Sequence, residues 1–198
     1  GLPDAMAELR VSLADVEATE ALGHAFANEA RRGDVLFLKG ELGSGKTSLA
    51  RGYLRRFFGN PRLDVPSPSY LLHFAYSCDD AAPAAPVEGE DPAVRASVVP
   101  FRASDTSLVP GCTVHHVDPY RLKEGKIACL IDFEKVFGEI AVVEWPERLG
   151  PELVTAESPA RLEVTFEGFG AQAEGRTVVL TAIGAHWQER LARWSAEG

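Results

Sequence analysis

Residues 40–47 constrain the fold of this chain more than any other segment. They read Gly-Glu-Leu-Gly-Ser-Gly-Lys-Thr and match G-x-x-x-x-G-K-[ST], the pattern of a phosphate-binding loop. The apolar run Val35–Leu38 precedes the loop and predicts a buried strand, and apolar residues at helical spacing follow it. A loop of this kind connects a parallel strand to a helix, so the segment predicts an α/β fold.

The residue types in this loop suit a bound nucleoside triphosphate. Glycines allow successive backbone N–H groups to converge on phosphate oxygens, and the helix N-terminus adds a partial positive charge. Lys46 can reach the β- and γ-phosphates, and the hydroxyl of Thr47 can ligate Mg²⁺. The alternative is a glycine-rich turn without a ligand, but the strand and helix around the loop favour a nucleotide site. Neither Asn28 nor Asn60 begins the N-K-x-D element that usually accompanies GTP specificity, so we expect ATP.

Composition and charge exclude several classes of function. Of the 198 residues, 45% are apolar and 25% are charged, as in soluble globular proteins, and no apolar run approaches the roughly 20 residues that span a bilayer. The net charge of −9 argues against direct binding to a nucleic-acid backbone, so we expect another subunit to hold any nucleic acid. Cysteines without a C-x-x-C pair favour a reducing compartment. With no secretory signal visible, we expect a cytoplasmic protein, or one of an organelle matrix or stroma, without a membrane partner.

We expect a single domain over residues 1–198, interrupted by a flexible insertion at about residues 77–111. The insertion is rich in alanine, proline and acidic residues and lacks periodicity, although Val98–Val99 suggests a short strand. The remaining pattern predicts a three-layer α/β/α sandwich of the P-loop nucleotidase type. Its mixed sheet is expected to have a parallel core and antiparallel C-terminal strands.

Helices and strands are predicted on both sides of the insertion. A first helix is expected after Ser12–Asp15, with the Ser12 hydroxyl accepting a free N–H of the first turn. Its expected apolar face comprises Val16, Leu22, Ala25, Phe26 and Ala30. Strands are predicted within 71–76, 113–117, 140–143, 162–166 and 177–181, the last two half-exposed and antiparallel, and further helices at 132–136 and 185–194.

Two carboxylates follow predicted strands. Asp118 follows Val114–Val117, and Glu144 follows Ile140–Val143. Because the carboxyl ends of parallel strands open onto a ligand crevice, both are candidates for the phosphate site; the alternative for each is a turn residue or a helix cap. Mg²⁺ prefers oxygen ligands, often through water, so Asp118 is expected to support the metal. For Glu144 the sequence leaves two roles open, orienting the attacking water or ligating the metal through water.

Several other side chains have more than one interpretation. His115 and His116 are adjacent on a strand and point to opposite faces, so they cannot chelate one metal together, and we expect ordinary core or surface histidines. Trp145 packs over the nucleotide, contacts a partner or lies in the core. The helix after the loop has basic residues that form either a solvated face or a docking patch for an acidic partner: Arg51, Arg55 and Arg56.

Four motifs occur in the order found in one protein family. The loop is followed by V-P-S-P-S-Y at 65–70, by H-H-V-D-P-Y-R-L at 115–122 and by V-V-E-W-P-E-R-L at 142–149. Together they resemble the TsaE (formerly YjeE) family over most of residues 12–183. The resemblance implies a small P-loop ATPase that uses ATP and Mg²⁺ and assists the formation of threonylcarbamoyladenosine next to the tRNA anticodon. It also implies TsaD-like and TsaB-like partners, with tRNA contacted only indirectly through the complex.

The resemblance also implies roles for individual residues. Ser67 and Ser69 match a segment that behaves like a switch loop, and Tyr120 and Arg121 match partner-facing positions. The expected catalytic residues are Lys46, Asp118 and Glu144, and the expected metal ligands are Thr47, Asp118 and Glu144. The expected nucleotide contacts are Gly40, Leu42, Gly43, Ser44, Gly45, Lys46, Thr47, Ser48, Ser69 and Trp145.

Three functions are compatible with these motifs. The first is an accessory ATPase that is weak alone and stimulated by partners, because the chain offers no obvious arginine finger of its own. The second is a small-molecule kinase on the same scaffold, which needs an acceptor pocket and a basic lid. The third is a binding module that nucleotide gates without required hydrolysis.

Overall fold

The computed structural model describes residues 7–77, 98–102, 107–168 and 175–197. In these ranges the chain forms one mixed sheet of eight strands with helices on both faces. The strands are β1 (Glu8–Leu13), β2 (Val35–Lys39), β3 (His73–Ser77), β4 (Val98–Arg102), β5 (Val114–Val117), β6 (Ile140–Glu144), β7 (Arg161–Glu167) and β8 (Arg176–Ile183). The α-helices are α1 (Val16–Asn28), α2 (Lys46–Phe57), α3 (Phe133–Gly138) and α4 (Ala185–Glu197), and short 3-10 helices span Lys126–Cys129 and Pro146–Arg148.

The strand that carries the phosphate-binding loop lies inside the sheet. The strand order is β1-β8-β7-β2-β6-β5-β3-β4. Strand β2 pairs in parallel with β7 and with β6, and β6 pairs in parallel with β5. Strand β8 runs antiparallel to β7 and β1, β3 runs antiparallel to β5, and β4 pairs in parallel with β3. The carboxyl ends of β2, β5, β6 and β7 therefore meet at one edge, which is where open α/β sheets bind ligands.

Apolar layers cover both faces of β2. Leu36 and Leu38 belong to the core that includes side chains of α1, α2 and α4, whereas Val35 and Phe37 belong to the core beside α3. All four are buried, and burial on both faces explains why this strand reads as an uninterrupted apolar run. The predicted α/β/α sandwich with a parallel core is confirmed.

Two glycines let α1 and α2 pack with their backbones in contact. A β-carbon at Gly52 would lie 2.0 Å from the carbonyl oxygen of Glu20, and one at Gly23 would lie 2.1 Å from that of Leu49. No other residue type fits at these separations without moving a helix. The close contact fixes the direction of α2, whose first turn carries Lys46.

The arginines of α2 connect it to α1. Arg51 and Arg55 lie 3.3 and 3.4 Å from the carboxylate of Glu20. Arg56 donates from Nε to the side-chain oxygen of Asn28. Neither sequence-based interpretation of these arginines, a solvated face or a docking patch, included contacts with α1. The packing of α2 against α1 depends on both helices and cannot be read from the sequence of α2 alone.

The N-terminal segment differs from its prediction. Ser12 lies within β1, a strand that the sequence analysis did not predict, so it does not cap α1. Asp15 caps the helix instead, since its side chain accepts a 2.7 Å hydrogen bond from the N–H of Ala18. The alternation of Leu9, Val11 and Leu13 with polar residues was a signal for this strand, which pairs with β8 far along the chain.

The buried face of α1 also differs from its prediction. The helix buries Thr19, Gly23, Phe26 and Ala27, whereas the expected Val16 and Ala25 are exposed. The close approach of α2 at Gly23 sets this rotation, because a glycine has to face the neighbouring backbone. The spacing of apolar residues alone had predicted a buried face that includes Val16 and Ala25.

The two C-terminal strands are more buried than predicted. Strands β7 and β8 are antiparallel to each other as expected, but they are not half-exposed: most of β7 and all of Val178–Ile183 are buried. The reason is that β7 also pairs in parallel with β2 and so belongs to the central sheet.

Most of the predicted insertion lies outside the described residues, and its flexibility stays a prediction. The short strand expected at Val98–Val99 is confirmed as part of β4. Among the described helices, none is long and apolar enough to cross a membrane.

The variant Gly52→Ala should lower the free energy of unfolding by roughly 1–3 kcal/mol, because its methyl group has to displace the backbone of Glu20. Gly138→Ala is the matched control, since a β-carbon there meets no described atom within 4 Å. Helix propensity makes that change neutral or stabilising. Urea denaturation measures both variants, and equal unfolding free energies would contradict the close helix contact.

Candidate active site

A cavity of about 580 Å³ opens at the carboxyl edge of β2, β5 and β6. Its lining residues are Leu42, Gly43, Ser44, Gly45, Lys46, Thr47, Ser48, Ser67, Ser69, Asp118, Tyr120, Arg121, Glu144 and Trp145. Every sequence-predicted site residue except Gly40 is in this set. Gly40 begins the loop, and its carbonyl oxygen accepts a hydrogen bond from Lys46. Four motifs that are distant in sequence therefore share one cavity.

Three glycines of the loop adopt positive φ angles. Gly40, Gly43 and Gly45 have φ values of 152°, 72° and 113°, a region that side chains disfavour. A β-carbon at Gly40 would also lie 2.8 Å from the hydroxyl of Ser44. Among the described side chains none caps α2, so the N–H groups of its first turn are available to an anion at the cavity.

Arg176 supports the loop from outside. Its Nε donates to the carbonyl oxygen of Ser44 at 3.0 Å, and Nη2 donates to that of Gly43 at 3.5 Å. When loop N–H groups converge on one side, carbonyl groups point to the other, and a guanidinium group suits them. The sequence analysis did not select Arg176, because it lies at the start of β8, far along the chain from the loop.

Lys46 is buried within the loop that it ends. Its Nζ donates to the carbonyl oxygens of Gly40 and Glu41, both at 2.7 Å, and lies 4.4 Å from the ring centroid of Trp145. Burial lowers the pKa of Lys46, while the negative charges of Glu144 and Asp118 act in the opposite direction. The ammonium group is thus held at the loop by weak neutral acceptors, which a phosphate oxygen can replace with a stronger interaction.

Thr47, Glu144 and His116 form a hydrogen-bonded group in which Glu144 and His116 are buried. The Thr47 hydroxyl lies 2.9 Å from Oε1 and 3.1 Å from Oε2 of Glu144. Nε2 of His116 lies 2.8 Å from the same Oε1. A hydroxyl that donates its hydrogen to Glu144 keeps its lone pairs for a metal ion. The sequence analysis treated His116 as an ordinary core or surface residue and missed this contact; the signal was its position two residues before Asp118 on one strand face.

Asp118 lies in the same cavity and carries an unfavourable charge. It is buried, and one oxygen accepts a 2.9 Å hydrogen bond from the N–H of Tyr120. Burial and the nearby charge of Glu144 raise the pKa of Asp118 to about 6. A divalent cation would relieve this repulsion, so the residues present fit Mg²⁺: two carboxylates and the Thr47 hydroxyl are the oxygen donors it prefers.

The protein ligands would be few. Among the described residues no group of three or more histidine, cysteine, aspartate or glutamate side chains forms a metal cage. Mg²⁺ usually keeps several waters and shares its coordination with substrate phosphates. A site with one or two carboxylates beside a phosphate-binding loop matches that preference.

Aromatic side chains form one wall of the cavity. Trp145 is half-buried with φ 52°, and its ring centroid lies 4.7 Å from that of Tyr120. Of the three interpretations open for Trp145, a position in the core is therefore wrong. Arg121 lies at the rim, where its guanidinium group stacks 3.9 Å from the ring centroid of Tyr70. Contact of Tyr120 and Arg121 with a partner stays a prediction.

His115 lies on the other face of β5, as strand geometry predicts. Its Nδ1 is 2.8 Å from Nε2 of His73, and its Nε2 is 3.3 Å from a carboxylate oxygen of Glu139. Burial lowers the pKa of His73 to about 3, so its ring stays neutral. The two adjacent histidines therefore belong to separate groups, and of the two only His116 contacts a residue that lines the cavity, Glu144.

Comparison with known proteins agrees with this geometry. The family model described as threonylcarbamoyl adenosine biosynthesis protein TsaE matches residues 13–85 and 101–177. The chain belongs to the TsaE family. This family takes part in tRNA threonylcarbamoyladenosine biosynthesis.

Individual relatives of this TsaE-family chain extend over most of its length. The tRNA threonylcarbamoyladenosine biosynthesis protein TsaE of Streptomyces coelicolor is 31% identical over 169 residues, which cover 84% of this chain and 91% of that protein. TsaE of Bacillus subtilis is 25% identical over 192 residues, covering 95% and 96%. The crystal structure of Bacillus subtilis YdiB superposes with a TM-score of 0.61 at 22% identity, covering 96% and 98%, and supports the fold.

The variant Asp118→Asn should stabilise the ligand-free TsaE-family protein by on the order of 1–3 kcal/mol above pH 7. It removes a buried charge beside Glu144, and its side-chain oxygen can still accept from the N–H of Tyr120. A carboxyl whose pKa rises from 3.8 to about 6 on folding destabilises the folded state as the pH rises through that interval. The stability difference between the variant and the wild type should therefore grow between about pH 4 and 6.

Urea denaturation at several pH values measures this difference. Glu147→Asn is a suitable control, because Glu147 is exposed and does not line the cavity. A difference for Asp118→Asn that stays constant with pH would contradict the raised pKa.

Proposed function

We propose that this TsaE-family protein binds ATP with Mg²⁺ in the cavity and hydrolyses it as an accessory ATPase of tRNA threonylcarbamoyladenosine formation. The observation that carries the proposal is the convergence of the phosphate-binding loop with Asp118 and Glu144 in one cavity of about 580 Å³. A glycine-rich turn without a ligand would not need two buried carboxylates at its side, since burying such charges is costly.

Each part of the loop has a role in holding the triphosphate. The N–H groups of residues 43–48 donate to phosphate oxygens, and Lys46 exchanges the carbonyls of Gly40 and Glu41 for the β- and γ-phosphates. Thr47 and Asp118 would hold Mg²⁺, which would supply positive charge against the negative charge of the phosphates. Trp145 closes the cavity wall beside Lys46.

Glu144 is the group proposed to act on the attacking water. It lines the cavity, and its bond with Thr47 places it beside the expected metal position without requiring it to be a ligand. A carboxylate in hydrogen-bond reach of a water near the γ-phosphate orients that water for in-line attack. Of the two roles that the sequence left open, we therefore propose the positioning of water, which the variants below test.

We propose that partners complete the reaction cycle. Tyr70 is 78% exposed and stacks on Arg121 at the cavity rim, so a protein that contacts Tyr70 reaches the edge of the site. The net charge of −9 disfavours direct tRNA binding, which leaves the tRNA to TsaD-like and TsaB-like partners. ATP hydrolysis would then be slow alone and faster in the complex.

Two substitutions separate binding from hydrolysis. Lys46→Ala should weaken Mg²⁺–ATP binding by about 30-fold or more, because the charge-assisted bonds to phosphate are lost. Glu144→Ala should keep the Kd within about threefold while lowering kcat by about 100-fold or more. Calorimetry measures binding, and phosphate release measures turnover.

Matched controls exist for both variants. Lys39→Ala removes a cation at the end of β2 that pairs with Glu163 outside the cavity, and Glu147→Ala removes an exposed carboxylate three residues after Glu144. Both controls should bind and hydrolyse ATP as the wild type does. Wild-type turnover in Glu144→Ala would refute the role of Glu144. Full tRNA modification by Glu144→Ala together with TsaD-like and TsaB-like partners would make hydrolysis dispensable and favour a nucleotide-gated binding module.

A further inference from the structure

His116 is a buried histidine that the proposed reaction does not by itself require. It is fully buried in β5, and its Nε2 lies 2.8 Å from Oε1 of Glu144. Its other ring nitrogen, Nδ1, has no hydrogen-bond partner among the described residues. A buried imidazole ring with one nitrogen lacking a hydrogen-bond partner lowers the stability of the fold. The remaining hydrogen bond, to Glu144, is therefore expected to have a specific use.

The direction of this hydrogen bond follows from the chemistry of its partner. A carboxylate only accepts hydrogen bonds, so Nε2 of His116 carries the hydrogen and donates it to Glu144. The hydrogen bond to Glu144 therefore requires a hydrogen on Nε2 of His116.

The two oxygens of Glu144 have unequal surroundings. Oε1 accepts from His116 at 2.8 Å and from the Thr47 hydroxyl at 2.9 Å. Oε2 lies 3.1 Å from the same hydroxyl, which has a single hydrogen to donate. His116 therefore contacts Oε1 alone, whereas the single hydrogen of Thr47 is within reach of both oxygens, so Oε2 has fewer donors and more free lone pairs for a further donor in the cavity.

We infer that His116 is a positioning residue: it anchors Oε1 of Glu144, so that Oε2 is the oxygen presented to the attacking water. The inference rests on the proposed ATPase function and adds the device that orients its carboxylate. A glutamate side chain has three rotatable bonds, and a single hydroxyl contact leaves it free to turn. A second donor on a rigid ring in the sheet removes that freedom, and small errors in placement near a reacting group cost up to about 100-fold in rate.

The neighbouring histidine provides a control within the same strand. His115 is also buried, but it faces away from the cavity and contacts His73 and Glu139. Replacing either histidine disturbs a buried side chain of β5. Only replacement of His116 changes the contacts of Glu144.

Three variants test the inference in the 198-residue chain. His116→Leu removes the donor at similar volume, His116→Gln retains a side-chain N–H donor of comparable reach, and His115→Leu is the matched control. Denaturation measures the stability of each, calorimetry measures the Kd for Mg²⁺–ATP, and phosphate release measures kcat. We expect His116→Leu to lose about 10- to 100-fold in kcat with a Kd within about threefold of wild type.

The conservative variant distinguishes positioning from packing. His116→Gln should recover kcat to within about fivefold of wild type, and His115→Leu should stay within about threefold, whatever their stabilities. Equal losses of kcat in His115→Leu and His116→Leu, or no recovery in His116→Gln, would overturn the inference. Unchanged kcat in His116→Leu would overturn it too, while leaving the proposed ATPase function intact. A wild-type chain that never hydrolyses ATP, with or without partners, would instead overturn the proposed function.

A spectroscopic readout tests the anchor without any nucleotide. Nitrogen-15 NMR of the imidazole rings should show His116 with hydrogen on Nε2, and Glu144→Ala should shift that Nε2–H signal. In the control, the signals of His115 should not move. A His116 ring without hydrogen on Nε2, or an Nε2–H signal that Glu144→Ala leaves unchanged, would contradict the inferred bond.

Discussion

The parallel pairing of β2 with β6 is the constraint on which the site depends. In this register Leu38 lies opposite Glu144, and the N–H of Trp145 donates to the carbonyl oxygen of Leu38. The loop follows Lys39 at the end of β2, and α2 begins at Lys46. Thr47, in the first turn of α2, therefore lies next to the ends of the paired strands β2 and β6. The hydrogen bond between Thr47 and Glu144 follows from that geometry. A slip by one residue would turn Glu144 to the other face of the sheet and separate the two groups.

Burial of the charged groups in the cavity lowers the stability of the ligand-free chain. Burial lowers the pKa of Lys46 and raises that of Asp118, so each group loses solvation in the folded chain. The attraction between Lys46 and Asp118 offsets part of the free energy lost on burial. Hydrogen bonds to carbonyl oxygens of the loop also stabilise the ammonium group of Lys46. In the proposed complex, a triphosphate would supply negative charge to Lys46, and a divalent cation would supply positive charge to Asp118. Binding sites for charged ligands commonly contain ionisable groups whose pKa values are shifted in this way.

Local patterns predicted most of the fold and most of the site. The loop, its flanking strand and helix, Asp118 and Glu144 are all readable from contiguous residues, because each motif is contained within one turn or one strand end. His116 and Arg176 were missed, since their roles depend on which strands become neighbours in the sheet. The face of α1 was wrong for a similar reason: the contact at Gly23 with α2 outweighs apolar spacing. Strand β1 escaped notice because its partner, β8, is far away in sequence.

A crystal structure of the chain with Mg²⁺ and a non-hydrolysable ATP analogue tests the central claim most directly. The account predicts that the β-phosphate lies within hydrogen-bond distance of the N–H groups of residues 43–47, with the metal at the Thr47 hydroxyl. Nζ of Lys46 should have left the carbonyls of Gly40 and Glu41 for phosphate oxygens. A nucleotide bound elsewhere, or a loop that excludes it while the protein is folded, would contradict the account.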